Sequence, residues 1–426
     1  MKRRFDFKQV VAIFAAATLF ACTQDFNPEF AQVENEQDES TAMKALPKRR
    51  TYEEALTIAQ NAIGMLGESS ATRSGKPRAV NTDDVQYIIN SSSTRSTDEP
   101  DTLMYVFNYE DNAGFAVVSA SRATEELIAV TEQGSYTVGE ETENGGFNMY
   151  MDMAETYVTR SFSPDTLQNF ITRNFDRILY SYGPYVNVRW GQGSPYNLFC
   201  YYDNTPVVVP AGCLTTALAQ IISYYEYPTQ LTIDYDGGHS QLALNWSEIK
   251  KHKSSTSCTC SEHVTIAKMF RQLGEELGIP YHDGYSGNDG SYIDDALTVL
   301  GYTYGSQQAY SQSVVESSLS QGKLIYITGY TASDGHAWVI DGFKKVETTT
   351  IEYVRNESTG LMTEVGRRTS TNYYNHLNWG WNGDSNGYFL CNVFNTQNSS
   401  QLDLGVTSNA NYNYTKDIRI YPYITH

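Results

Sequence analysis

The sequence predicts an α+β chain: a small N-terminal α+β unit, then a larger part with a helical half and a strand-rich half. Three observations carry this. Behind Cys213, apolar residues recur at Leu214, Ala217, Leu218, Ile221, Ile222 and Tyr225, the stripe of a helix with one face in a core. Behind His336, Ala337, Val339 and Ile340 form an apolar strand. Well before either, runs at 103–108 and 114–119 flank a short turn at 109–113, which reads as a hairpin. With 426 residues there is room for two or three units.

The elements follow in order. Lys2, Arg3, Arg4 and Lys8 precede an apolar stretch at 10–19 that is too short to span a bilayer. Leu19-Phe20-Ala21-Cys22 reads as a lipobox, with 1–21 a signal peptide and Cys22 lipidated as the mature N-terminus; an ordinary signal peptide is the alternative. Residues 22–50, polar and acidic, read as a tether. Thr51 and Glu54 form a capping box opening a helix through Leu56, Ile58, Ala59, Ile63 and Leu66. After a loop at 69–80, strands are expected at 85–89, 103–108, 114–119 and 127–130. A polar, helical bridge is expected over 148–179, interrupted at Ser163-Pro164, which places the junction of two domains, 51–165 and 166–426. The Cys213 helix stops at Pro228. Residues 344–371, charged and Thr-rich, suggest an extended hairpin inserted between the His336 strand and Asn378.

The net charge of −19 argues against nucleic-acid partners, whose phosphates need Lys and Arg patches. Residues 1–21 hold four basic side chains against one Asp, so their removal deepens the charge to −22. Of six cysteines, Cys200, Cys258, Cys260 and Cys391 remain once Cys22 and Cys213 have roles. In an oxidising compartment they could form disulfides, with pairing unspecified. A zinc site is a poor alternative, because Cys258-Thr259-Cys260 lacks a second cysteine pair at ligand spacing.

The chemistry-bearing residues are Cys213, His336 and Asn378. A thiol at a helix N-terminus meets the positive end of the helix dipole, which favours the thiolate. Nucleophilic catalysis by a thiol needs a base, and the base needs a group that orients it. An Asn amide can accept the imidazole N–H without adding charge, and an adjacent Trp379 can shield that bond.

Four blocks in this order resemble the streptopain family of papain-like cysteine peptidases: Trp190-Gly191-Gln192-Gly193-Ser194-Pro195-Tyr196-Asn197; Gly212-Cys213 with the helix ending Ala219-Gln220-Ile221-Ile222-Ser223-Tyr224-Tyr225-Glu226-Tyr227-Pro228; Gly335-His336-Ala337-Trp338-Val339-Ile340-Asp341-Gly342; and Leu377-Asn378-Trp379-Gly380-Trp381. They cover the chain from about Tyr182 onward. The run around 105–108 and 114–120 is similar to the family's propeptide. The resemblance implies a papain-like two-part catalytic domain behind an inhibitory propeptide at 51–165. It implies Cys213 as nucleophile, His336 as base, Gln192 as oxyanion donor, and Asn378 and Trp379 as the groups that orient and shield the base. No metal or organic cofactor is implied. The expected partners are protein or peptide substrates, the chain's own propeptide as inhibitor, and a membrane through Cys22. The expected protein is a lipid-anchored cysteine endopeptidase made as a zymogen, on the outer membrane or cell surface, releasable by processing. A catalytically silent surface binding protein, or an amidase or transpeptidase using the same thioester chemistry, are the alternatives.

Overall fold

The computed structural model describes residues 49–70, 76–90, 101–140, 142–162, 171–202, 205–235, 237–255, 260–282, 285–330, 335–355, 359–397 and 417–426. The expected signal peptide, Cys22, nearly all of the tether, Ser163-Pro164 and Cys258 lie outside the described residues.

The N-terminal unit opens with α1 (Tyr52–Ala62). Thr51 Oγ1 accepts from the Glu54 N–H, and Glu54 Oε2 accepts from the Thr51 N–H at 2.8 Å, so the box satisfies two end donors reciprocally. A 3-10 turn (Ile63–Ser70) follows. Strands β1 (Val80–Ile89), β2 (Thr102–Tyr109), β3 (Phe115–Ser119) and β4 (Leu127–Thr131) then form an antiparallel meander. Gly114 closes the β2–β3 turn at φ +98, where a Cβ would stand 2.2 Å from the Thr131 carbonyl oxygen, so only glycine fits.

Helix α2 (Gly145–Ser161) starts at Asn144, whose Oδ1 accepts from the Phe147 N–H. The expected polar bridge is corrected here. Phe147, Met149, Tyr150, Met151, Met153 and Val158 are all buried, and each such side chain contributes about 1.5–3 kcal/mol by burial. The second half of that bridge is β5 (Ile171–Tyr182), an antiparallel partner of the long hairpin described below. The hairpin offers an open edge, and pairing with it overrides the local helical pattern.

The remaining elements are α3 (Cys213–Tyr225), β6 (Gln230–Ile233), β7 (Ser240–Ala243), α4 (Trp246–Ile249), α5 (Ser261–Glu276), β8 (Tyr281–His282), β9 (Tyr285–Ser286), α6 (Ile293–Val299), β10 (Gln308–Ala309), α7 (Gln312–Ser320), β11 (Leu324–Tyr330), β12 (Gly335–Arg355), β13 (Met362–Asn378), β14 (Gly387–Leu390) and β15 (Arg419–Ile424). The 344–371 insertion is the outer part of the β12–β13 hairpin, paired from Val339 with Asn378 out to Arg355 with Met362. The architecture is thus mixed α+β, with helices against a large antiparallel sheet.

One sheet runs β1-β2-β3-β4-β14-β13-β12-β11-β15-β10, with β5 on β12. The N-terminal meander is continuous with the second part through β4 and β14, where Val130 faces Tyr388 and Thr131 faces Gly387. A Cβ on Gly387 would meet the Val130 carbonyl oxygen at 2.2 Å, so a side chain there would part the strands. Helix α2 lies over this seam: Tyr150 donates to the Ile128 carbonyl at 3.0 Å and to that of Leu390 at 3.3 Å, and its ring meets Phe389 edge-on.

Candidate active site

Cys213 is the first residue of α3, and the chain arrives at it through Gly212 at φ +91. A Cβ on Gly212 would lie 2.8 Å from the Ser286 carbonyl oxygen, so the entry into the helix depends on glycine twice over. The Gly212 carbonyl accepts from Thr216 Oγ1 at 2.9 Å, and the Leu214 carbonyl accepts from the Tyr326 hydroxyl at 2.8 Å. The first bond closes the opening turn of α3, and the second ties that turn to β11. The backbone N–H groups of Ala337, Leu214 and Cys213 point at the sulfur. Ala337 follows His336, so the helix N-terminus and the head of β12 meet at the thiol.

His336 is the second residue of β12, and its ring is buried between Trp338 and Trp381, with centroids 5.9 and 6.5 Å away and nearly parallel planes. Its Nε2 pairs with the main-chain carbonyl of Trp379 at 3.2 Å. The expected orienting group was the Asn378 amide, and the structure gives that amide other work. Asn378 Oδ1 accepts from Gln220 Nε2 at 2.9 Å and from the Gly380 N–H at 3.4 Å, and its Nδ2 donates to the Val188 carbonyl at 3.1 Å. Asn378 therefore shapes the turn that presents the Trp379 carbonyl, one bond removed from the imidazole. Trp379 itself is fully buried against Trp338 and Phe389. Gln220, two helical turns beyond Cys213, was not singled out from the sequence. It ties the Trp190 carbonyl to Asn378, and its position on the buried face of α3 was the available signal. Gln192 is anchored by its main chain: its carbonyl accepts from the Ala211 N–H at 2.8 Å, two residues before Cys213.

The N-terminal unit covers this site. Gly146, at the start of α2, sits on the imidazole so closely that a Cβ there would be 2.3 Å from His336 Cδ2 and 2.7 Å from Trp379 Cε3. Met149, one turn on, packs where a side chain on Gly329 would need to be, and Gly329 is the cross-strand partner of His336. Burial of the pair has an electrostatic result. Burial pushes the Cys213 thiol up, opposed by the three N–H groups, and burial lowers His336 to about 4 against the pull of the Trp379 carbonyl. At neutral pH both groups are uncharged in this state, although the helix dipole alone would favour the thiolate.

A second link between the two parts is ionic. Glu132, just past β4, lies 3.6 Å from His376 Nε2 on β13, and His376 Nδ1 lies 2.6 Å from Asp341 on β12. Arg189 reaches Glu132 at 3.4 Å and Gln133 at 3.3 Å. Burial alone would lower His376, but Asp341 and Glu132 outweigh it and raise it to about 10. Burial alone would raise Glu132, but His376, Arg189 and Arg78 bring it to about 2. The raised histidine contributes stability fully below its unfolded value of 6.5 and loses it as pH climbs toward 10. The depressed carboxylate contributes fully above 4.5 and loses it as pH falls toward 2. The thermal midpoint of the full chain should therefore be highest between about pH 4.5 and 6.5. In Glu132→Gln it should fall by the equivalent of roughly 3 kcal/mol and lose much of that pH dependence. Differential scanning calorimetry across pH checks this; a variant with the parent's profile would remove Glu132 from the interface energetics.

The disulfides that the sequence allows are not formed among the described residues: Cys200, Cys260 and Cys391 are in no bridge. Cys200 and Cys391 are buried, and burial pushes them up to about 11 and about 12. Cys391 donates to Asn375 Oδ1 at 3.2 Å, so a packed polar contact replaces the bridge.

Residues 190–389 match the Peptidase C10 family, and residues 44–158 match the Spi protease inhibitor family. Streptopain of Streptococcus pyogenes serotype M1 is 24% identical over 334 residues, covering 68% of this chain and 74% of its own. The thiol protease/hemagglutinin PrtT of Porphyromonas gingivalis is 22% identical over 332 residues, covering 71% of this chain and 35% of its own. A structure of a Prevotella intermedia prointerpain A fragment superposes with a TM-score of 0.52 at 19% identity, covering 82% of this chain and 99% of that one, a likeness of fold.

Proposed function

The chain carries a Peptidase C10 domain of the streptopain family behind a Spi protease inhibitor domain, and from that premise we propose that it is an exported, lipid-anchored cysteine endopeptidase whose own N-terminal domain keeps it inactive until cut. The observation that carries the reading is Gly146 of the N-terminal domain seated on the His336 ring, in a strand whose next residue, Ala337, reaches the Cys213 thiol.

In the uncovered enzyme, the Cys213 thiolate forms a bond to the peptide carbonyl carbon, and the carbonyl electrons move to oxygen. The Cys213 N–H and the Gln192 amide stabilise that oxyanion. As it collapses, the C–N bond breaks and the His336 imidazolium gives its proton to the leaving amine. Water then adds to the thioester, passing a proton to His336, and the carboxylic acid leaves as the thiol is restored. Trp379 holds the imidazole through its carbonyl. The propeptide is assigned to 51–165 and the catalytic part to 166–426, with 22–50 as the tether from a lipidated Cys22.

Activation is expected to cut within 159–177, where Ser163-Pro164 breaks the pattern between α2 and β5. Adding active enzyme to full-length Cys213→Ala protein and sequencing the product's N-terminus checks this. A cut inside 190–228 would contradict the zymogen reading, since it would destroy the site. Lipid anchoring is read separately. Wild-type protein in a bacterial host should partition with membranes, and Cys22→Ser should be soluble.

A further inference from the structure

The structure brings together three metal-ligating side chains far along the chain from the thiol chemistry. Nδ1 or Nε2 of His252, Sγ of Cys260 and a ring nitrogen of His263 all lie within 4.8 Å of one another. Cys260 Sγ is 3.8 Å from both ring nitrogens of His252, and the two imidazole centroids are 4.7 Å apart. A tetrahedral zinc with Zn–S near 2.3 Å and Zn–N near 2.1 Å sets a sulfur–nitrogen separation of about 3.6 Å, close to the 3.8 Å between Cys260 and His252. The Glu262 carboxylate lies 4.0 Å from His252 Nε2, near enough for it or a water to complete four ligands. His263 is 1% exposed and Cys260 and His252 are partly buried, so the cluster sits at the edge of the core.

We propose that His252, Cys260 and His263 bind one zinc-class divalent ion, with one thiolate and two neutral imidazoles as its protein ligands. Binding deprotonates Cys260 and releases that proton to solvent. The mixed thiolate and imidazole set suits a borderline ion and not the oxygen-seeking calcium or magnesium. The sequence hid the site because its ligand spacing is His-x7-Cys-x2-His, with no second cysteine pair.

The position gives the ion a task. The His252 carbonyl accepts from Trp190 Nε1 at 2.8 Å, and the neighbouring Lys253 carbonyl accepts from the Arg189 N–H at 2.5 Å. From the other side, Phe270 of α5 packs edge-on against Trp190 at 5.8 Å. The ion would clamp the loop after α4 to the first turn of α5. The loop, and α5 further along at Phe270, both hold Trp190, two residues before Gln192. It is a structural brace behind the oxyanion segment, with no place in the reaction itself.

The test uses the untagged full chain carrying Cys213→Ala, so that the active-site thiol cannot contribute. After dialysis against zinc and removal of excess, plasma mass spectrometry should find one zinc per chain. Exchange into cobalt(II) should give a thiolate-to-cobalt charge-transfer band that is lost in Cys260→Ser and weakened in His252→Gln. Chelation should lower the thermal midpoint by roughly 5 °C in the parent, by less in His252→Gln, and leave Cys260→Ser unmoved. Zinc well below one per chain would overturn the proposal without any variant. So would a charge-transfer band that survives Cys260→Ser, which would place the ion on other ligands.

Discussion

Cys213→Ala should lower peptide hydrolysis by at least about 10⁴-fold in the cut, uncovered enzyme, with the fold intact. Alanine fits the first turn of α3, and the bonds that fix that turn run through Gly212, Thr216, Leu214 and Tyr326, none of which uses the sulfur. His336→Ala should approach the same loss, because the thiolate then lacks both its ionic partner and the proton donor for the leaving amine. A steady-state assay on an unfolded protein substrate, with circular dichroism to confirm folding, checks both. Activity near that of the parent in pure Cys213→Ala protein would remove Cys213 from the chemistry.

Separating the N-terminal domain should raise activity on the order of 10³-fold over the uncut Cys213-intact chain. That is the gain expected if the uncovered state is populated near 0.1% before cutting. The contact that sets the ratio is steric. Any Cβ at position 146 collides with the His336 and Trp379 rings, and neither ring can withdraw because Trp338, Trp381 and Phe389 hold them. Gly146→Val should therefore lift α2 off the site in the uncut chain. It should raise basal hydrolysis and labelling of Cys213 while lowering the thermal midpoint by several degrees. A silent, fully stable Gly146→Val chain would mean that cover and site are not in contact.

Much of this was legible in the sequence, and the boundary is physical. Local, periodic features could be read directly: the Thr51–Glu54 box, the apolar stripe of α3, the β2–β3 hairpin and the outer β12–β13 hairpin each follow from neighbouring residues. Contacts set by tertiary pairing could not. Residues 171–179 read as the end of a polar, helical bridge, and become part of β5 because β12 has an edge to offer. Asn378 carries the right group for orienting an imidazole. The fold turns that amide toward Gln220 and Val188 and leaves the ring to a main-chain carbonyl, which no residue type can announce. Glu132 follows β4 while His376 and Asp341 lie on β13 and β12, and only the sheet order makes them neighbours. The His252–Cys260–His263 cluster is close in sequence yet fits no common ligand spacing.

The most direct test of the covered site is the rate at which a small alkylating reagent modifies Cys213, followed by mass spectrometry of its peptide across pH 4 to 10, in the intact chain and in the cut chain. In the intact chain both groups are neutral, so the rate should rise only on the alkaline side, above the ordinary thiol range. The cut chain should gain a plateau of fast alkylation at neutral and mildly acidic pH, from a thiolate held by the His336 imidazolium. Identical profiles in the two chains would contradict the account, because the N-terminal domain would then have no hold on the Cys213–His336 pair.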